Sequence, residues 1–295
     1  MPLDELTVPA SAAGERLDAW LSRALRDRSR ARLASLIEDG SVMVDGERRP
    51  KGHRLRGGER VTLVEPQREE VSAATPPSPR VALENDDLIL IDKPAGLVVH
   101  PAPGHRGITL IELLAAGAAG AWKPLAVHRL DRDTSGLMLV AKREEVRDEL
   151  QALIRVRGIE REYIALASGA LGSRSGTIEA PIGRATRDRT RMAVGGARAR
   201  EARTHFTVER FLDGFTLVRA KLDTGRTHQI RAHFAAIGHP LAGDRAYGGP
   251  RVPGLERQFL HSARIAFRYS ARPEGIEERS PLPDDLAEAL RGLDA

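Results

Sequence analysis

From residue 81 onward the chain consists of short apolar runs separated by polar, glycine-bearing loops. The runs fall at 88–91, 97–99, 137–140, 163–167 and 215–220, the last continuing through Lys221 and Leu222. Segments this short, bounded by turn residues, predict strands. The best helical pattern is Glu144–Arg155, where Val146, Leu150, Leu153 and Ile154 share one face. The strand–helix alternation of a doubly wound sheet is missing. The pattern therefore predicts an α+β fold around a mixed, mostly antiparallel central sheet.

The first 65 residues read differently. Leu17, Leu21 and Leu25 recur at helical spacing with Trp20 and Ala24 beside them, and Leu33, Leu36 and Ile37 give a second short helix. Asp39-Gly40 stops that helix. Val42 and Val44 lead into the hairpin turn Asp45-Gly46, and Gly57-Gly58 precedes a last strand through Val61 and Leu63. Between this small α+β unit and the larger one lies a proline-rich stretch in which Pro76, Pro77 and Pro79 forbid a helix. The expected organisation is a domain over 1–66, a linker over 67–80 and a second domain over 81–295.

Charge adds a possible partner. The chain of 295 residues carries 46 basic against 41 acidic groups, for a net charge of +5, and its pI is near 9.9. Only five of the basic residues are lysines, and arginine clamps phosphate and stacks on bases as lysine does not. Arg23, Arg26, Arg28, Arg30 and Arg32 crowd the junction of the two N-terminal helices. They form either one basic surface or a merely solvated face. Cysteine is absent, which excludes disulfides and thiolate metal sites. The acidic start of the chain (Asp4, Glu5) is unlike a signal peptide, and no apolar run is long enough to span a membrane. A cytoplasmic, monomeric protein with no membrane partner is expected.

Three segments carry candidate chemistry. In His128-Arg129-Leu130-Asp131-Arg132-Asp133-Thr134-Ser135-Gly136, polar residues between apolar runs predict an exposed loop. Asp131 and Asp133 are a carboxylate pair, one catalytic Asp with a turn-forming neighbour, or simply a capped turn. In the segment from Asp223 to His233, His228 and His233 are five apart and miss the i,i+4 pairing of a zinc helix, so no metal site is expected. Arg226 and Arg231 around them can hold a carboxylate or phosphates. Tyr163, in Arg161-Glu162-Tyr163-Ile164, is either half-buried strand packing or a ring that stacks on a base.

These segments together resemble the RluA family of pseudouridine synthases. LILIDKPAGLVVHPAPGH, VHRLDRDTSGLMLVAK, REYIALASG, LDTGRTHQIRAHFAAIGHPLAGDRAYGG, FLHSARIAF and PLPDDL follow one another in the family's order. The small N-terminal domain, the linker and the basic stretch APIGRATRDRTRMAV are most similar to the RluD branch, which modifies a stem-loop of large-subunit (23S) ribosomal RNA. Residues 14–65 resemble the small alpha-L RNA-binding domain of a small-subunit ribosomal protein and of tyrosyl-tRNA synthetases. The resemblance implies that Asp131 is the catalytic carboxylate, that Arg231 rather than Arg226 pairs with it, and that Tyr163 packs on the target base. It further implies that Arg129 fills the gap left by an extruded nucleotide. His128, Arg226, Arg23, Arg28, Arg30 and Arg32 are expected to contact RNA, either as free ribosomal RNA or in the assembling large subunit. Such an enzyme is expected to need no cofactor. The family's His-Pro after FLHSARIAF is replaced here by Arg268-Tyr269-Ser270.

Overall fold

The computed structural model describes residues 3–25, 30–38, 40–64, 78–101, 105, 107–186, 188 and 191–293. The chain divides into two compact units, one of residues 1–74 with 101–107 and one of 75–100 with 108–295.

The small unit contains β1 (Leu3–Thr7), α1 (Leu17–Ala24), α2 (Arg30–Glu38), β2 (Val42–Val44), β3 (Glu47–Arg48) and β4 (Arg60–Val64). Its sheet runs β1-β4-β2-β3. Asp45 and Gly46 both adopt positive φ (50° and 79°), as a tight two-residue hairpin requires. Leu17, Trp20 and Leu21 of α1 pack with Leu33, Leu36 and Ile37 of α2 over Val42, Val44, Val61 and Leu63. Strand β1 was not expected from the sequence. It pairs with β4 across more than fifty residues, Leu3 opposite Val64, a contact that no local pattern announces.

The large unit contains β5 (Arg80–Glu84), β6 (Leu88–Lys93), α3 (Leu110–Gly117), β7 (Leu125–Ala126), β8 (Ser135–Ala141) and α4 (Glu144–Arg155). It continues with β9 (Ile159–Ser168), β10 (Ser175–Glu179), β11 (Ile182–Arg184), β12 (Met192–Val194), β13 (Ala197–Arg200), β14 (Arg203–Leu212) and β15 (Phe215–Leu222). Last come α5 (Gln229–Ala236), β16 (Leu260–Tyr269), β17 (Arg272–Arg279) and α6 (Asp284–Gly292). Among the described residues the central sheet has ten strands, eight of them in the order β10-β14-β15-β9-β16-β8-β6-β5. Strand β17 adds to β16 and β7 to β8, while β11, β12 and β13 form a separate three-stranded sheet. The β8–β16 pairing is parallel and the other pairings are antiparallel, so the mixed, mostly antiparallel α+β class expected from the pattern holds.

Both faces of the central sheet are covered. Helix α4 buries Val146 and Leu150 against Leu137, Leu139 and Ile265, and α6 buries Leu286 against Ile164 and Leu166. On the site side, Tyr163, Ala165, Val218 and Ala220 pack with Ile230 and Phe234 of α5.

Residues 97–99, expected as a strand, are irregular. Gly96 turns at φ 84°, and the carbonyls of Val98 and Val99 accept from the amides of Leu110 and Ile111 at the start of α3. Leu97 and Val99 are nonetheless fully in the core. The apolar run records burial, and its backbone is spent on a helix end instead of a ladder. The expected linker over 67–80 lies largely outside the described residues.

Candidate active site

The segment 128–134 joins β7 to β8 and is held from both sides. At the end of β6, Lys93 is fully buried and its Nζ donates to the carbonyls of Arg132 (2.9 Å), Pro94 (2.8 Å) and Leu97 (2.9 Å). The Gly96 amide donates to Arg132 O as well. From the opposite side Arg257 Nη1 donates to Asp133 O (3.0 Å), and Gln258 Nε2 donates to Thr134 Oγ1 (3.2 Å). The Thr134 amide returns to Asp131 O and closes the turn. Gly136 follows at φ 105°, and a Cβ there would lie 2.2 Å from Ser262 O, so the parallel β8–β16 pairing admits only glycine. This segment is the loop expected from its polarity, but a clamped one: Arg129 and Arg132 are exposed, whereas Leu130, Thr134 and Ser135 are buried and Asp131 is half-buried.

The second strut is α5. Its entry is locked by Gln229, whose Oε1 accepts from the Arg226 amide (3.0 Å) and the Thr224 hydroxyl (2.8 Å). Gln229 Nε2 donates to Arg203 O and to Thr204 Oγ1. His228 enters the helix in the left-handed conformation, φ 55°. This geometry brings Arg231, a hundred residues away in sequence, to Asp131: Nη1 donates to Oδ2 at 3.1 Å. The same guanidinium makes two parallel bonds to Asp244, Nε to Oδ2 at 2.7 Å and Nη2 to Oδ1 at 2.8 Å. It also lies 5.0 Å from the centre of the Tyr247 ring. Burial opposes the Arg231 charge, but Asp244 and Asp131 together hold its proton well above the ordinary arginine value. His228 Nε2 lies 3.9 Å from the same Asp131 oxygen, and its Nδ1 is 3.1 Å from the Tyr247 hydroxyl. Burial lowers the His228 pKa, with Asp131 working the other way.

Asp131, Tyr163, His128, Arg129 and Arg226 all line one cleft of about 350 Å³, at the lower end of the roughly 300–1,000 Å³ typical of ligand sites. Tyr163 is almost fully buried, and burial raises its hydroxyl pKa while the nearby Arg161 charge pulls it down. Burial and Arg161 push His128 down to about 3, so its imidazole is neutral. His128 Nε2 accepts from the Leu139 amide at 3.2 Å, which ties the start of the segment to β8. Arg129 is exposed at the cleft. Arg226 is half-buried and gives its Nε to Glu201 O at 3.1 Å. Arg231 stands outside the cleft lining and reaches it through Asp131. Asp133 takes the Arg132 guanidinium in two bonds of 2.9 Å, so its carboxylate is engaged by Arg132 and not by Asp131.

The two histidines considered for a metal diverge. His233 is fully buried, with Nδ1 on Thr204 Oγ1 and Nε2 on Ala180 O, both at 2.9 Å. In the small unit, Arg23 is exposed and bonds Glu15 at 2.8 Å. Arg28 lies outside the described residues. Arg30 and Arg32 fall on α2, with side chains outside the described residues.

Sequence reasoning missed three residues. Asp244 and Tyr247 both sit in LAGDRAYGG, the end of a segment that carried the resemblance without singling out either residue. Arg161, two residues before Tyr163 on β9, lines the cleft and is 2% exposed.

Residues 87–236 match the family model described as RNA pseudouridylate synthase, and residues 15–61 match the S4 domain. The chain is 38% identical over 297 residues to the uncharacterized RNA pseudouridine synthase YlyB of Bacillus subtilis, covering 98% of this chain and 97% of that one. It is 41% identical over 302 residues to the ribosomal large subunit pseudouridine synthase D of Nitrosomonas europaea, covering 98% and 87%. Among solved structures, human RNA pseudouridylate synthase domain containing 4 superposes with a TM-score of 0.60 at 24% identity, over 72% of this chain and 92% of that one. That last likeness is one of fold. The family model spans half of this chain and its relatives match almost all of it, so the chain belongs to the RNA pseudouridylate synthase family, enzymes that isomerise uridine in RNA to pseudouridine.

Proposed function

We propose that this pseudouridine synthase acts on uridines in a stem-loop of 23S ribosomal RNA, with Asp131 as the catalytic carboxylate. The observation that carries the reading is the Asp131–Arg231 contact of 3.1 Å beside Tyr163 in a single cleft. When the N1–C1′ bond of uridine breaks, the sugar becomes electron-deficient, and a fixed carboxylate stabilises that centre, bonds to it, or removes a sugar proton. Arg231, itself fixed by Asp244, keeps Asp131 aimed. Tyr163 offers its ring to the uracil. Arg129, two residues ahead of Asp131 and exposed, takes the space the extruded nucleotide leaves. Arg226 and the arginines at 23, 28, 30 and 32 contribute phosphate contacts that offset the few kcal/mol of unstacking. His128 stands in the cleft wall and orients the segment through β8.

The large-subunit substrate is supported by the naming of full-length relatives as ribosomal large subunit pseudouridine synthase D. In this reading 1–66 is the RNA-gripping domain, 67–80 the linker and 81–295 the catalytic domain, and the enzyme works as a cytoplasmic monomer. No described helix is long and apolar enough to cross a membrane. The test is incubation of 23S RNA labelled with tritium at uracil C5. Release of tritium to water without loss of base supports the reading, and release of free uracil replaces it with a hydrolase. Mapping pseudouridines in ribosomal RNA with and without the gene locates the uridines.

A further inference from the structure

Strand β9 carries charge on both faces, and only one face is balanced. Glu160 and Glu162 are met by Arg264 at 2.9 and 2.8 Å, by Lys221 at 3.2 Å and by Arg219 at 3.2 Å. On the opposite face, in register with Tyr163, Arg161 is buried with no such match. Its Nε is shut off from solvent and has no hydrogen-bond partner. No described residue accepts a hydrogen bond from the rest of its guanidinium. Asp223 is the carboxylate whose charge it feels, yet the Asp223 oxygen is taken by His205 at 3.1 Å, Arg157 at 3.5 Å and Arg203 at 3.7 Å. Gly225 leaves room for it: a Cβ there would lie 2.8 Å from Arg161 Nη1.

A buried cation without a partner is expensive, and native structures tolerate one mainly where it has work to do. Arg161 lines the same cleft as Asp131 and Tyr163, and with no acceptor on its Nη atoms among the described residues, a molecule in that cleft can supply one. The cleft lining includes the apolar side chains of Leu222, Ile230 and Leu260. A phosphate would meet an exposed arginine at the mouth, as Arg129 is. A buried guanidinium in a cleft lined in part by apolar side chains fits a flat ring with carbonyl oxygens.

We propose that Arg161 is a catalytic residue that binds a carbonyl oxygen of the extruded uracil and stabilises the negative charge developing there. This rests on the cleft being the uridine site. As the C1′–N1 bond breaks, both electrons leave with the base, and the resulting uracil anion spreads its charge onto the ring oxygens. Arg161 holds that anion while Asp131 meets C1′. The ring then turns and C5 bonds to C1′; C5 gives up its proton and N1 gains one, so the isomerisation balances. A preformed donor is most effective when it faces charge that appears only in the transition state.

The test uses the full-length enzyme, Arg161→Met and Arg161→Lys, in single-turnover tritium release at saturating RNA, with thermal melting of each. Arg161→Met should slow the reaction by about 100-fold or more, and Arg161→Lys by less. Because an unpaired buried charge is removed, Arg161→Met should melt no lower than wild type. Target RNAs carrying 2-thiouridine or 4-thiouridine identify the contact: the thio substitution at the contacted oxygen should slow wild type but add nothing further to Arg161→Met. An undiminished rate in Arg161→Met overturns the proposal. So do thio penalties that multiply in full with the substitution, and this comparison decides the matter if Arg161→Met melts lower. A wild type that releases no tritium defeats the underlying reading of the cleft instead.

Discussion

Arg231 is shared unequally between two carboxylates, giving Asp244 two short bonds and Asp131 a single longer one. Asp244 is 1% exposed, whereas the Asp131 side chain retains 15% exposure. Asp244 therefore balances and orients the arginine, which leaves Asp131 open to the cleft it lines.

That asymmetry predicts opposite profiles for the two carboxylates. Asp131→Asn should abolish turnover while leaving RNA affinity nearly intact, and it should cost only about 1–3 kcal/mol of stability, the scale of one charged hydrogen bond. Arg231 would still be paired with Asp244. More than about a tenth of the wild-type rate, roughly 1.4 kcal/mol of barrier, would remove Asp131 from the catalytic role.

Asp244→Ala should be the more destabilising change, at about 3–5 kcal/mol, because it strands most of a buried guanidinium. Turnover should fall too, although Asp244 does not line the cleft. Urea unfolding of the two variants side by side gives the order. Equal losses would mean that the guanidinium is not anchored as the geometry indicates. Arg231→Ala should lose both stability and activity, since it unpairs both acids.

Much of this site was legible in the sequence because its parts are contiguous motifs. HRLD and HQIR each announce polar residues at the edge of an apolar element, and the family resemblance assigns them. Asp244 was not legible, because its importance comes from a contact made thirteen residues away around the corner between α5 and the Gly243–Gly249 turn, where Gly249 N returns to Asp244 O. Arg161 was hidden by its neighbours. In REYIAL an arginine between acidic residues reads as one more surface charge, and only the strand's two faces separate the paired glutamates from the unpaired arginine. The run at 97–99 misled for a related reason: hydrophobicity reports burial, and Gly96 with Lys93 decides the backbone. The replacement Arg268-Tyr269-Ser270 proves structural, with the Tyr269 hydroxyl donating to Asp87 at 3.0 Å and Ser270 bonding Glu149.

Lys93 gives the stability of the fold a pH signature. Burial pulls its pKa down to about 7, against the attraction of Asp133 and Asp131, while an unfolded lysine titrates near 10.5. Between those values the unfolded chain binds more protons than the folded one, so stability rises with pH across that window. Below pH 7 both states are protonated and the dependence vanishes. The three carbonyl acceptors favour the ammonium, which limits the rise to a few kcal/mol at most. Measured from pH 6 to pH 10, the unfolding free energy of wild type minus that of Lys93→Met should rise with pH above about 7. A difference between them that is flat across the window would show that Lys93 keeps its proton when folded.

The small unit's arginines should be visible in salt dependence rather than in chemistry. Every residue assigned to the reaction lies in the large unit, from Arg129 to Arg231, whereas Arg23, Arg28, Arg30 and Arg32 belong to the segment matching the S4 domain. If they meet phosphates, each neutralised contact reduces the slope of log K against log salt by about 0.7–0.9. Replacing all four by glutamine in the full chain should therefore weaken binding most at low salt and flatten that slope by about three units. Arg23 starts from a bond to Glu15, so its share should be the smallest, the cost of leaving that partner being subtracted. Single-turnover rates at saturating RNA should change little, because Asp131, Arg231 and Asp244 keep their geometry. Binding isotherms and single-turnover rates measured across one salt series test both halves. An unchanged slope would mean these arginines are only a solvated face, and a collapsed saturating rate in a folded variant would mean the small unit helps build the active site.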